Sequence, residues 1–174
     1  PILLMLGLKS TTAANASRNA ATIPPTRSAG AVEASVVSAT STGAAGARLV
    51  FPAAAEHELE WIIWDGESGF EPSPGRGFGK EPRGERLGTG ALGDAMLVLT
   101  PAVAVDRSRT RIGHGAGYYD RALLTVPPSA MVVAVVHPDE LLDKGALVRD
   151  EHDVPIPAVL TADGLVSLVT SAGF

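Results

Sequence analysis

Met131-Val132-Val133-Ala134-Val135-Val136 is six apolar residues in a row, four of them valines. β-Branched side chains fit a pleated strand better than a helix. A run with no polar alternation suits a parallel strand covered on both faces. Met96-Leu97-Val98-Leu99-Thr100-Pro101 has the same character and ends at a proline, with Ala102-Val103-Ala104-Val105-Asp106 directly after it. Downstream, Val159-Leu160-Thr161 and Leu165-Val166-Ser167-Leu168-Val169 flank an Asp163-Gly164 turn and predict two closing strands. Upstream, Arg48-Leu49-Val50-Phe51-Pro52 predicts a short buried strand, and Leu59-Glu60-Trp61-Ile62-Ile63-Trp64-Asp65 a second. A helix is expected from Tyr118 to about Leu124, and a short one over Leu141–Leu147. The glycine- and proline-rich stretch 66–90 predicts a long loop. Strands separated by helices and loops give an α/β class with a mostly parallel central sheet.

The chain has 174 residues, suited to one domain spanning 1–174, and 45% of them are hydrophobic. Net charge is −5, so no overall basic field favours nucleic acid. Cysteine is absent, which excludes disulfides, thiolate metal sites and a cysteine nucleophile. The apolar opening 1–8 is too short to span a bilayer and lacks the features of a secretory leader. The expectation is a soluble, cytoplasmic monomer with no membrane or nucleic-acid partner. Residues 1–47 are dominated by Ala, Ser and Thr. Pro24-Pro25 breaks any helix there, and 31–42 reads either as a helix with a weak apolar face or as loosely ordered chain.

Chemistry concentrates at Arg111-Ile112-Gly113-His114-Gly115-Ala116-Gly117-Tyr118-Tyr119-Asp120-Arg121. Alternating glycines allow a sharp turn and close approach to a ligand. Their N–H groups can converge on an anion, as can the start of a following helix. The spacing is G-x-G-x-G, so it is neither the dinucleotide fingerprint nor a Walker A loop. Taken alone it fits a plain turn equally well. The flanking arginines, tyrosines and aspartate, and the strand before it, favour a phosphate cradle with a carboxylate placed for a metal.

The run Thr100-Pro101-Ala102-Val103-Ala104-Val105-Asp106, followed by 111–123, resembles the signature of the 5-formyltetrahydrofolate cyclo-ligase (methenyltetrahydrofolate synthetase) family. Asp150-Glu151-His152-Asp153-Val154-Pro155-Ile156-Pro157-Ala158-Val159-Leu160-Thr161 resembles its second motif, and 48–52, 59–66 and 81–88 its middle region. The likeness covers roughly 48–168, and residues 1–47 match poorly. It implies a single-domain, Rossmann-like three-layer fold. It implies an ATP-dependent ligase (EC 6.3.3.2) that phosphorylates the formyl oxygen of 5-formyltetrahydrofolate, closes the ring to 5,10-methenyltetrahydrofolate, and releases ADP and phosphate. The alternative is a non-catalytic relative that binds nucleotide or folate.

By the same resemblance, ATP meets Arg111, Ile112, Gly113, His114, Gly115, Ala116, Gly117, Tyr118 and Tyr119. Arg111 and Tyr118 are the catalytic candidates. Mg²⁺ falls to Asp120 and Asp153, with waters completing its shell. The folate falls to His114, Gly115, Ala116, Gly117 and Tyr118, with Glu33 as the acidic candidate upstream. Trp61 and Trp64 point to opposite faces of a strand, so one of them, Trp61 for preference, either stacks on the pteridine or packs in the core. His114 reads as a nucleotide donor or a solvent-facing spacer, and His152 as a positioner of Asp153 or a loop residue. Asp106 reads as a turn former or a partner for Arg111. Arg83 and Arg86 either meet the folate's glutamate carboxylates or line a solvated loop. Lys9, Arg18 and Arg27 do not reproduce the basic cluster with which family members begin.

Overall fold

The computed structural model describes residues 2–4, 48–74 and 80–169. Twelve strands occur there. They are β1 (Ile2–Leu4), β2 (Arg48–Ala54), β3 (Leu59–Trp64), β4 (Phe70–Pro72), β5 (Lys80–Pro82), β6 (Ala95–Pro101), β7 (Ala104–Asp106), β8 (Arg111–Ile112), β9 (Met131–Val135), β10 (Leu141–Leu142), β11 (Ala158–Thr161) and β12 (Gly164–Ser167). The α-helix among the described residues is α1 (Tyr118–Leu123).

Seven strands form the central sheet in the order β12-β11-β9-β6-β1-β2-β3. The inner pairings are parallel, and the two outer ones, β2 with β3 and β11 with β12, are antiparallel. The apolar run at Met131 lies between two parallel neighbours: Val98 faces Val132 on one side, and Ala158 faces Val133 on the other. Val133 and Ala134 are buried and Met131 at the strand's start is exposed, so the full covering expected of this run holds only for its middle. The closing pair turns at Ala162-Asp163, one residue earlier than expected, with Thr161 opposite Gly164 and Leu160 opposite Leu165.

The expected α/β class with a mostly parallel sheet is therefore present. The two helical layers of a three-layer fold are not found among the described residues. Parallel neighbours need long crossovers, usually helical. Here the crossover from β6 to β9 runs through the β7–β8 hairpin, the glycine loop and the six-residue α1. The crossover from β9 to β11 contains a 3-10 turn (Pro138–Glu140) and β10, which joins β7 and β8 in a second sheet of order β10-β7-β8. The helix expected over Leu141–Leu147 is replaced by β10 and a turn. Leu141 and Leu142 pair with Val105 and Asp106, while the N–H groups of Gly145 and Leu147 are taken by the Asp106 carboxylate.

That carboxylate is fully buried. Oδ1 accepts from the N–H groups of Ser108 (2.9 Å) and Thr110 (3.1 Å). Oδ2 accepts from the Ser108 hydroxyl (3.0 Å) and from Gly145 and Leu147 N–H (both 3.1 Å). Asp106 is thus the turn former of the hairpin, and its partners do not include Arg111. The turn also holds Arg109 at φ 73, a left-handed conformation uncommon for a residue with a side chain. Burial alone pushes the Asp106 carboxyl up. The hydrogen bonds, led by Thr110 and Leu147 N–H, outweigh burial and bring it below its ordinary 3.8.

The stretch 66–90, expected as loop, contains the antiparallel β4–β5 hairpin and a 3-10 turn (Thr89–Asp94). The hairpin lies over an aromatic group on the outer face of β2 and β3. Phe51 meets Trp64 and Phe70 edge to face, with ring centroids 5.7 and 4.9 Å apart. Residues 84–87 then run along β3, with Ile63 N–H donating to Glu85 O (2.9 Å) and Leu87 N–H to Trp61 O (2.8 Å). Gly84 permits this approach, because a Cβ there would sit 1.9 Å from the Ile63 carbonyl oxygen. The main core lies on the other face, around Val50, Leu59, Trp61, Val98, Ala134 and Val159.

Gly84→Ala is expected to cost about 2–4 kcal/mol, since backbone rather than a side chain must yield; urea unfolding measures it. Acid titration tests Asp106. Its carboxyl ionises at lower pH in the folded than in the unfolded chain, so its contribution is complete above 3.8 and is lost as pH falls through the folded value. The stability gap between wild type and Asp106→Asn should therefore be widest above that value and shrink on acidification.

Candidate functional site

The site is built at the C-terminal end of β6, where ligands bind in open α/β sheets. β6 ends at Pro101, the β7–β8 hairpin follows, and β8 delivers Arg111 to the start of the glycine loop. The Arg111 side chain is 3% exposed. Nη1 donates to Pro101 O (3.2 Å) and Nη2 to Asp120 Oδ1 (2.6 Å). One guanidinium therefore ties the end of β6 to α1 and encloses the loop between them. Gly113 packs directly on it, for a Cβ there would lie 2.8 Å from Nη1. The Arg111 Nε is buried and has no hydrogen-bond partner among the described residues.

A second arginine braces the loop's far end. Arg121 Nη2 donates to Ala116 O (3.1 Å) and to His57 O (2.5 Å), and its guanidinium carbon lies 5.3 Å from the Tyr118 ring centre. Gly117 precedes the helix at φ 65, and a Cβ there would meet Arg121 Nη1 at 2.8 Å. The positive φ is what requires glycine at this position. The Tyr118 hydroxyl reaches the carbonyls of Ala55 and Glu56, each at 3.4 Å. The first turn of α1 thus holds the β2–β3 turn, which forms one wall beside the loop. From sequence, Arg121 is one of the arginines flanking the cradle, without a brace assigned to it. Its i, i+3 spacing from Tyr118 was the available signal.

The remaining expected residues fall as follows. Ile112 is exposed, as are His114, Gly115 and Ala116 at the loop's crest, while Gly113 and Gly117 are half-buried. Tyr119 points inward and is buried. Burial pushes its phenol above the ordinary range, with the Arg111 charge opposing. Asp120 is 26% exposed beside Arg111. Asp153 is half-buried and its Oδ2 accepts from Asp150 N–H (2.8 Å), closing the 150–153 turn. His152 is exposed beside Glu151, and its N–H donates to Asp150 rather than to Asp153. Among the described residues, no three His, Asp or Glu side chains gather as a metal cage.

Trp61 is corrected. It is fully buried in the core and offers no face to a ligand. Trp64, on the opposite face, gives its indole N–H to Ser68 O (2.8 Å). Arg83 pairs with Glu71, and Arg86 bridges Glu60 (3.1 Å) and Glu81 (2.7 Å), so both arginines already have carboxylate partners. Glu33 lies outside the described residues.

A sequence model of the 5-formyltetrahydrofolate cyclo-ligase family matches residues 17–162. The chain belongs to this family. The 5-formyltetrahydrofolate cyclo-ligase of Mycolicibacterium smegmatis is 46% identical over 90 residues, covering 51% of this chain and 45% of that protein. The Escherichia coli K12 cyclo-ligase is 38% identical over 66 residues, covering 37% of this chain and 35% of that protein. The chain thus spans less than half the length of these relatives. The solved structure of Aquifex aeolicus 5,10-methenyltetrahydrofolate synthetase shares the fold, with a TM-score of 0.60 at 23% identity over 83% of this chain and 67% of that one. The cyclo-ligase match begins upstream of Arg48, so it reaches beyond the motifs read from sequence. No helix among the described residues is long and apolar enough to cross a membrane.

The Arg111–Asp120 pair gives a direct test of the site's architecture. Removing one member of a buried pair strands the other's charge, at about 3–5 kcal/mol. Asp120→Ala is expected to approach that loss, discounted for the carboxylate's partial exposure, in denaturant unfolding monitored by circular dichroism.

Proposed function

We propose that this chain carries the ATP-dependent cyclisation of 5-formyltetrahydrofolate to 5,10-methenyltetrahydrofolate, as a monomeric cytoplasmic enzyme of three-layer architecture. The observation that carries the reading is the Arg111–Asp120 pair, which closes a glycine loop at the C-terminal end of a parallel strand. Family membership supports it.

The γ-phosphoryl group of ATP passes to the formyl oxygen as its bond to ADP breaks. The N10 amine then attacks the activated carbon, its proton leaves to water, and the carbon–oxygen bond breaks to release phosphate. Such a transfer needs positioning and charge stabilisation rather than a side-chain nucleophile. The loop backbone from Gly113 to Gly117 faces the phosphates. Arg111 supplies positive charge from beneath the loop. Tyr118 and the turn it holds shape the wall toward the folate, with His114 and Ala116 at the crest. Glu33 is assigned to the folate as its acidic contact.

The carboxylates fit a Mg²⁺ held mostly by phosphate oxygens. Among the described residues, Asp120 commits Oδ1 to Arg111 and is partly exposed, and Asp153 commits Oδ2 to its own turn. Mg²⁺ accepts one or two carboxylates with waters and phosphates. When bound, it would neutralise charge on the β- and γ-phosphates. Arg111 fixes the Asp120 carboxylate in one orientation.

Absorbance at the methenyl band, followed with 5-formyltetrahydrofolate, ATP and Mg²⁺, tests the proposal. Growth should require all three. Binding without turnover would support the non-catalytic alternative, and binding of neither ligand would sink both. Asp120→Asn, assayed where circular dichroism shows it folded, should lose about 100-fold or more in rate. Full activity in that variant would remove Asp120 from the metal site.

A further inference from the structure

The Asp106 carboxylate is fully buried and the chemistry above makes no use of it. Its five hydrogen bonds divide between two stretches of chain. Three come from its own turn, at Ser108 and Thr110, directly before the strand that delivers Arg111. Two come from Gly145 and Leu147, some forty residues away. Further bonds join the same two stretches. Arg107 N–H donates to Leu142 O (3.1 Å), Gly145 N–H donates to the Ser108 hydroxyl (2.7 Å), and the Arg149 guanidinium donates to Ser108 O. Ile156 N–H donates to Arg109 O (3.0 Å), just beyond the turn that contains Asp153.

The 106–110 turn is therefore a junction. One arm is β8, which places Arg111 and the glycine loop. The other is the segment 142–156, which has no helix of its own and lies on the turn through these bonds. We propose that Asp106 is a positioning residue that locks the Asp153 segment to the base of the glycine loop, so that both carry one Mg²⁺·ATP. This rests on the function proposed above. An isolated turn former would need only its local donors. Here the second oxygen is spent largely on the distant segment, and a neutral side chain cannot replace it. An amide has one acceptor oxygen, and its NH₂ would face the N–H groups of Gly145 and Leu147.

Hydrogen exchange and calorimetric titration with Mg²⁺·ATP, on wild type, Asp106→Asn and Ser108→Ala, test the coupling. In Asp106→Asn, amides in 145–156 and in 111–117 should both exchange about 10-fold faster, with β9 and β11 unchanged. The Kd for Mg²⁺·ATP should rise about 10-fold, as for loss of an outer-shell partner. Faster exchange confined to 143–147, with unchanged Kd, would overturn the proposal. If Asp106→Asn loses native exchange throughout, Ser108→Ala decides. It removes one bond to Asp106 and one to Gly145, and should raise Kd about 3-fold while both segments loosen together. An unchanged Kd in folded Ser108→Ala would then overturn it. If wild type binds no Mg²⁺·ATP, the function reading fails on its own, and the exchange of 111–117 still shows whether the two segments are linked.

Discussion

A single guanidinium holds the site together. Arg111 is almost wholly withdrawn from water, which is tolerable only because the Pro101 carbonyl and the Asp120 carboxylate receive it. Those two groups lie on opposite sides of the glycine loop, one at the end of a sheet strand and one on a helix of a turn and a half. Such a helix is too short to be stable through its own hydrogen bonds. It is fixed by what its side chains grip: Asp120 on Arg111, Arg121 on the loop and the β2–β3 turn, and Tyr119, Ala122 and Leu123 in the core. The loop's shape follows from the two arginines, since Gly113 and Gly117 lie where a side chain would displace a guanidinium.

The strands of the central sheet were legible because burial leaves a strong mark on sequence. Met96–Pro101, Met131–Val135 and Ala158–Thr161 are apolar runs with little else to become. The small sheets were not legible. Phe70–Pro72 and Lys80–Pro82 are three residues each, contain proline and charge, and pair for reasons that reside in Phe51 and Trp64, far away in sequence. Leu141–Leu147 has helix-forming residues at suitable spacing, and tertiary contact overrode that preference. A buried carboxylate offered its N–H groups a better partner than the next turn of a helix.

The site divided along the same line. The glycine loop, its arginine and its aspartate were readable as a set from their spacing. Which aspartate pairs with Arg111 was not, because Asp106 and Asp120 lie at separations with no local periodicity to favour either. The Trp61 and Trp64 pair showed opposite faces in sequence, but not which face was the core. That depends on strand order: β1 and β2 lie between β3 and β6, and the large core forms on the side of Val50 and Trp61.

The run of 84–87 along β3 has a consequence for the protein in concentrated solution. An exposed edge strand is a template for pairing with another molecule. At β3 two of the outward-facing groups, Ile63 N–H and Trp61 O, are already occupied by Glu85 and Leu87, and the close passage of Gly84 leaves no room for a further chain. The opposite edge, β12, is four residues long, largely exposed, and starts at a glycine. Brevity is its protection, so the two ends of one sheet avoid fibrillar association by different means, one by covering and one by offering too little to extend.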